Sequence, residues 1–258
     1  MIYASKTDVG RQRELNEDAC GAFYSLDSEC DFFIVADGMG GHNCGEVASK
    51  MAIDNITKYL IEEPLDEPEN FDSILVDSVK AANDLICLKA NEAEQCCGMG
   101  TTVAMVAVKD DIAHICHAGD SRVYLFRDDE LTQITVDHSY ISELMKIGYL
   151  TEEEAAVHPK RNVITQALGS EEGVSPDINL LKLKKDDYLL ICTDGFYNMV
   201  SDSETIGIIK AFVKPEEICN VLVERANHQM DYYLFPQLYV LFPNVLFHLA
   251  VDLDIFSY

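Results

Sequence analysis

The chain has 258 residues and 28.8 kDa, with 45 Asp and Glu against 19 Lys and Arg, a formal net charge of −26. That charge excludes nucleic acid or an anionic membrane surface as the main partner, since both present phosphate; it suits cations, basic protein segments or plain solubility. With 48% apolar and 25% charged residues, the composition is globular rather than disordered, and the length allows one large domain or two small ones.

In chain order, the N-terminal MIYASKTDVGRQRELNED lacks the apolar core of a signal peptide. It carries Arg11 and Arg13 a few residues ahead of Asn16-Glu17-Asp18. Arg can hold a phosphate bidentately; the plainer reading is a surface ion pair. The run Phe32–Ala36 predicts a strand, and it ends in Asp37-Gly38-Met39-Gly40-Gly41-His42. Gly at 38, 40 and 41 leaves the backbone bare, so a main-chain carbonyl or N–H can approach an ion or phosphate. This loop matches neither the P-loop nor the dinucleotide fingerprint.

Apolar residues at three- and four-residue steps predict two long helices, one through Val47, Ala48, Met51, Ala52, Ile56 and Leu60, the next through Ile74, Leu75, Val79, Ala82 and Ile86. A Pro- and Glu-rich loop, Glu62 to Asn70, joins them. Strands are predicted at Thr101–Val108, Ile112–His117, Val123–Phe126 and Tyr188–Thr193, with hairpin turns at Lys109-Asp110-Asp111 and Arg127-Asp128-Asp129-Glu130. Asp137 to Gly169 is polar, with a short helical pattern at Ser139–Ile147, and reads as an excursion that lines a site. A further helix covers Glu216 to Ala226. The apolar stretch Leu238 to Phe256 is broken by Pro243, Asn244, His248, Asp252 and Asp254, which argues against a membrane span. Helices grouped between runs of adjacent strands predict an α+β fold with antiparallel sheets.

The nine Cys are scattered, with no C-x-x-C pair and a vicinal Cys96-Cys97. They form neither a disulfide framework nor a zinc site, and small buried thiols in a reducing cytosol are expected.

Three Asp follow apolar strands directly: Asp37, Asp120 and Asp194, each trailed by Gly or Ser. Carboxylates at three strand ends can meet in one cleft, and such a cluster needs Mg²⁺ or Mn²⁺ to offset its repulsion. The alternative is three turn Asp residues, each bonded to its own loop.

Seven ordered segments then carry a resemblance: Thr7-Asp8-Val9-Gly10-Arg11-x-Arg13-x-x-Asn16-Glu17-Asp18; Val35 to His42 with Gly45-Glu46-x-Ala48-Ser49; Met99-Gly100-Thr101-Thr102; His117 to Tyr124; Thr135-x-Asp137-His138-Ser139; His158-Pro159; and Cys192-Thr193-Asp194-Gly195. Together they resemble the metal-dependent protein phosphatases of type 2C, in their short bacterial form. The resemblance implies a four-layer α-β-β-α sandwich, two antiparallel sheets flanked by helices, over residues 1–230, with a flap at about 137–169. It implies phosphoserine and phosphothreonine hydrolysis by water held between two Mn²⁺ or Mg²⁺ ions, with a third, weaker ion in bacterial members. Asp37 matches the carboxylate shared by both ions and Gly38 the backbone carbonyl ligand. Asp194 matches a ligand of the first ion, Glu17 and Asp18 the acids of the second, Asp120 the ligand of the third, and Arg13 the phosphate-binding Arg. The implied partners are phosphorylated Ser/Thr proteins and a cognate Ser/Thr kinase, in signal transduction in a bacterial cytoplasm; a monomer is expected. His42 is either a general acid or a packed loop residue, and packing is favoured, with metal-bound water as the acid.

The resemblance departs at its end. After Ala226-Asn227 the family has Gly-Gly-x-Asp-Asn, whereas this chain has His228-Gln229-Met230-Asp231-Tyr232-Tyr233. Three readings of residues 231–258 stand open. Asp231 reaches the ion from a shifted register, or the ligand is lost and leaves a weak enzyme or an inactive binder of phosphoproteins, or the segment arises from a frameshift.

Overall fold

A computed structural model describes residues 1–9, 15–40, 44–63, 70–229 and 237–242. Arg11, Arg13, His42 and Asp231 lie outside the described residues. Among the described residues, eleven strands pair into two antiparallel sheets. One runs in the order β1 (Ile2–Thr7), β11 (Gln237–Phe242), β10 (Tyr188–Cys192), β7 (Arg122–Arg127), β8 (Glu130–Gln133). The other runs β2 (Asp18–Ser25), β3 (Cys30–Met39), β5 (Val103–Lys109), β6 (Ile112–Ala118), β9 (Asp177–Lys182), with the two-residue β4 (Gly100–Thr101) added to the end of β3.

The period of two along a strand sends alternate side chains to opposite faces. In β3 that rule builds two cores. Phe32, Ile34 and Ala36 join Ile56, Leu60, Phe71 and Leu75 beneath helices α1 (Gly45–Glu62) and α2 (Phe71–Glu92). Phe33 and Val35 face Ile115, Val123, Leu189 and Leu241 between the sheets. The far face of the first sheet buries Leu190 and Val240 against Ile209 of α6 (Asp202–Ala211) and Ile218, Leu222 and Val223 of α7 (Pro215–Gln229). The result is the four-layer sandwich. The predicted helices and strands lie where periodicity places them, but α2 runs on past Ile86 to Glu92 and β3 past Ala36 to Met39, and β1, β2 and β9 were not predicted. At the β7–β8 hairpin Asp128 and Asp129 have φ of 53° and 67°, the left-handed pair that a two-residue turn between twisted strands requires.

The tail contains a strand the sequence did not predict. Residues 237–242 pair with β1 on one side and β10 on the other, with Leu238, Val240 and Leu241 fully buried. Leu241→Ala should therefore cost about 2–5 kcal/mol of folding free energy, measured as a lowered urea midpoint; a shift below about 0.5 kcal/mol, as at surface sites, would show that this strand is not part of the core. Among the described residues no helix is long and apolar enough to cross a membrane.

The expectation of nine thiols needs a correction. Cys44, just ahead of α1, and Cys96, just past α2, are joined as a disulfide with a Cα–Cα distance of 5.4 Å, inside the usual range. They are 52 residues apart in sequence, so only the packing of α1 on α2 brings them together. The other seven are free, and burial pushes the thiols of Cys30, Cys116 and Cys219 up to about 12, which makes them inert. Denatured without reductant, the chain should titrate as seven thiols, and as nine after reduction; nine before reduction would refute the pairing.

Candidate active site

The antiparallel order places the start of β2, the end of β3, the end of β6 and the end of β10 at one end of the sandwich. Asp18 and Asp37 are register partners across β2 and β3, so their side chains share a face. Asp37 is fixed by its backbone: its N–H donates to Thr102 Oγ1 at 3.0 Å, and its carbonyl accepts from Thr102 N and Thr101 Oγ1, both at 2.9 Å. Thr102 Oγ1 in turn lies 2.7 Å from Ser121 Oγ, which ties the residue after Asp120 to the same post.

Asp120 sits where the chain leaves one sheet for the other, between β6 and β7. The preceding Gly119 has φ of 110°, and a Cβ there would press on Thr102, so the turn that aims Asp120 needs glycine. Asp194 opens the short helix α5 (Asp194–Tyr197) directly after β10, and Thr193 donates its hydroxyl to Asp18 Oδ2 at 2.8 Å. The four carboxyls interact. Desolvation pushes Asp37 well above the usual carboxylate range, and Asp18, Asp194 and Asp120 add to it, together with a hydrogen bond shared with Asp194. Asp120 is raised to about 7, by burial first and then by Asp194 and Asp137. All four keep partial exposure, so the group opens to solvent.

Glu17 and Gly38 meet beside α1. Gly38 N donates to Glu17 O at 3.1 Å, and Ser49 Oγ donates to the same carbonyl at 2.6 Å. A Cβ built on Gly45 would lie 2.7 Å from Glu17 Oε1 and 2.9 Å from Gly38 O. A carboxylate oxygen and a main-chain carbonyl thus face one point, which glycine leaves open. The structure therefore brings Asp18, Asp37, Asp120 and Asp194 together, with Glu17 and Gly38 next to Asp37. The donors are all oxygen, five carboxylates that repel one another and the neutral Gly38 carbonyl, which fits hard divalent cations and little else.

The flap leaves and returns near this group. It contains α3 (Tyr140–Lys146) and α4 (Glu152–Ala156). At its exit Asp137 takes two hydrogen bonds from Arg122, Nε to Oδ1 at 2.9 Å and Nη2 to Oδ2 at 2.6 Å. At its return Leu168 and Thr101 exchange backbone hydrogen bonds, and buried Asn83 of α2 accepts from Gly169 N and Ser170 N. An open groove of about 350 Å³ runs between this return and the Met39-Gly40 turn, lined by Met99, Gly100, Thr165 and Leu168.

Among the described residues, the His, Cys, Asp and Glu whose ligand atoms crowd within 4.8 Å of one another are elsewhere: His117, His138 and Asp177. The two rings stack at 4.7 Å and 20°, so their in-plane lone pairs run side by side rather than converging. His138 Nε2 is 3.2 Å from Asp177 Oδ2, and His117 Nε2 is 3.0 Å from the Val136 carbonyl. This trio fastens the flap's exit to β6 and β9.

The model of the family described as protein phosphatase 2C matches residues 9–234. The chain belongs to the protein phosphatase 2C family. It is a hydrolase of the protein phosphatase class. Protein phosphatase PhpP of Streptococcus pneumoniae is 36% identical over 229 residues, covering 88% of this chain and 92% of that one. The Streptococcus agalactiae serine/threonine phosphatase superposes with a TM-score of 0.87 at 32% identity, covering 93% of this chain and 98% of that one. The PstP catalytic domain, solved in complex with two manganese ions, superposes at 0.79 with 31% identity, covering 92% and 96%.

Within a protein phosphatase 2C chain, several residues of this site carry no charge and escaped the sequence reading of roles. Thr101, Thr102, Ser121 and Thr193 hold the acids in place; their signal was present in the Gly-Thr-Thr and Asp-Ser-Arg segments. Tyr197 was missed because its role depends on a contact across 77 positions.

Proposed function

We propose that this chain hydrolyses phosphoserine and phosphothreonine in proteins, reversing a Ser/Thr kinase in the bacterial cytoplasm. The observation that carries the reading is the meeting of Asp18, Asp37 and Asp194, from three elements, with Asp120 from the β6–β7 turn, beside the Glu17 carboxylate and the Gly38 carbonyl. Asp37 would be shared between two cations, Gly38 would offer its carbonyl, Asp194 would complete the first position, and Glu17 and Asp18 the second. Asp120 would hold a third, weaker cation. Bound Mn²⁺ or Mg²⁺ would supply an acidified water and offset the phosphate's charge.

The chain's own groups do the rest. The Thr101 and Thr102 clamps keep Asp37 from swinging away when cations leave. The groove beside Met39-Gly40 offers room for the peptide that bears the phosphate. Arg13 would neutralise the equatorial phosphate oxygens, whose charge must be held as the ester bond breaks.

The test is Mn²⁺-dependent hydrolysis of a small aryl phosphate and a phosphothreonine peptide, with Asp37→Ala as control. Equal rates in both proteins, or none at millimolar Mn²⁺, would sink the enzyme reading and leave a phosphoprotein binder. A separate variant, Asp231→Asn, addresses the tail. If Asp231 is a cation ligand, the half-saturating Mn²⁺ rises about tenfold; an unchanged value assigns it no role.

A further inference from the structure

The hydroxyl of Tyr197 donates to Asp120 Oδ2 at 3.3 Å. The ring does not reach there by chance of rotamer. The Arg122 guanidinium lies over it, 3.5 Å from Cζ to the ring centroid. That guanidinium is itself held at both edges, by the bidentate pair with Asp137 and by Nη1 donating to Tyr124 Oη at 2.8 Å. Tyr197 also sits at the end of α5, three residues after Asp194, so one short helix turn carries an acid of the cluster and the group that touches another acid. Burial, then Asp120, pushes the phenol well above its usual 10, so the O–H remains a donor.

We propose that Tyr197 is a positioning residue. Its hydroxyl fixes the orientation of the Asp120 carboxylate and so sets the affinity of the weakest cation, without touching the two cations at Asp37. This rests on the cation-dependent reading above. Carboxylate ligands are themselves held by hydrogen bonds, and removing such a partner weakens metal affinity about 10- to 100-fold. Asp120 lies in a turn between two sheets, and among the described residues Tyr197 is the side chain that donates to it, with its own backbone N–H and the nearby Arg122 charge acting alongside. The same stack reaches the flap through Asp137, so the orientation of Asp120 is coupled to the flap's first residue.

Tyr197→Phe removes one oxygen and leaves the ring on Arg122. The experiment is a Mn²⁺ titration of the metal-free protein followed by electron paramagnetic resonance, which counts bound ions without substrate. Expected is a weakest class of sites whose Kd rises about tenfold in Tyr197→Phe, the tighter classes unchanged, and that weakest class missing in Asp120→Asn. A weakest class with wild-type Kd in Tyr197→Phe overturns the inference, as does an equal weakening of every class, which would mean general loosening. A weakest class that survives in Asp120→Asn overturns it too. If the wild type hydrolyses phosphate esters with Mn²⁺ and only the Tyr197→Phe result fails, the phosphatase reading stands and this inference falls. If the wild type binds no Mn²⁺, both fall.

Discussion

Asp37→Asn is expected to lower the Mn²⁺-supported rate on an aryl phosphate by about 10³-fold or more, while making the cation-free protein more stable. Both effects follow from its place among Asp18, Asp120 and Asp194. Loss of one aligned polar group at a reacting centre already costs about 10²–10³ in rate, and this residue is proposed to serve two cations at once. The asparagine is nearly isosteric and keeps the backbone bonds to Thr101 and Thr102. Without cations, however, the native carboxylate faces three like charges in a desolvated place. Removing it relieves that repulsion, so the melting temperature in EDTA should rise by several degrees. A variant that loses activity and also melts lower in EDTA would mean that Asp37 supports the fold, and would contradict the like-charge account.

The second large effect is a pH dependence with an unusual sign. Asp120 titrates near 7 in the folded chain and near 3.8 unfolded, and Asp37 is displaced in the same direction. Below about pH 4 both states hold these protons and nothing is lost. As pH rises toward 7, the unfolded chain has released them while the folded chain retains them, so stability falls, then levels off. Three units on one carboxyl correspond to about 4 kcal/mol, reduced by the partial exposure of Asp120. The cation-free protein should thus melt higher at pH 5 than at pH 7.5. Added Mn²⁺ should raise the melting temperature more at pH 7.5 than at pH 5. Asp120→Asn should flatten the EDTA profile. A melting temperature in EDTA that rises from pH 5 to 7.5, or a slope untouched by Asp120→Asn, would refute the assignment.

Much of the architecture was visible in the sequence because periodicity is a local signal. The two faces of Phe32–Ala36 and the three- and four-residue steps of α1 and α2 could be read directly. What escaped was either polar, short or contextual. β2 reads Asp-Ala-Cys-Gly-Ala-Phe-Tyr-Ser, with too few β-branched residues to announce a strand, and Gly21 in its middle; it is a strand because Asp18 to Ser25 pair with β3. α6 begins with a capping box, Ser201 with Glu204, a local signal that the sequence does carry. The candidate site divides the same way. The acids could be named from strand ends and motif order. The supports could not, because hydroxyls such as Thr193 and Tyr197 acquire meaning only from partners 175 and 77 positions away. Asp194 follows its strand as read but also opens a short helix, where the exposed N–H groups of the first turn favour a negative side chain.

The pairing of β1 with β11 has a consequence for the order of events at the ribosome. Residues 2–7 leave the exit tunnel long before their described partner strand, residues 237–242. Chain emerges at about 5–20 residues per second, so the first strand waits on the order of ten seconds or more for its neighbour. Once β10 has emerged, its edge that β11 will cover also stays unfilled until β11 follows, and open strand edges invite pairing with other chains. The helix-covered sheet of β2, β3, β5, β6 and β9 has no such dependence, since all its strands precede residue 183. The two halves of the sandwich are thus expected to close in sequence, the cluster of acids being completed only when the second half arrives with Asp194.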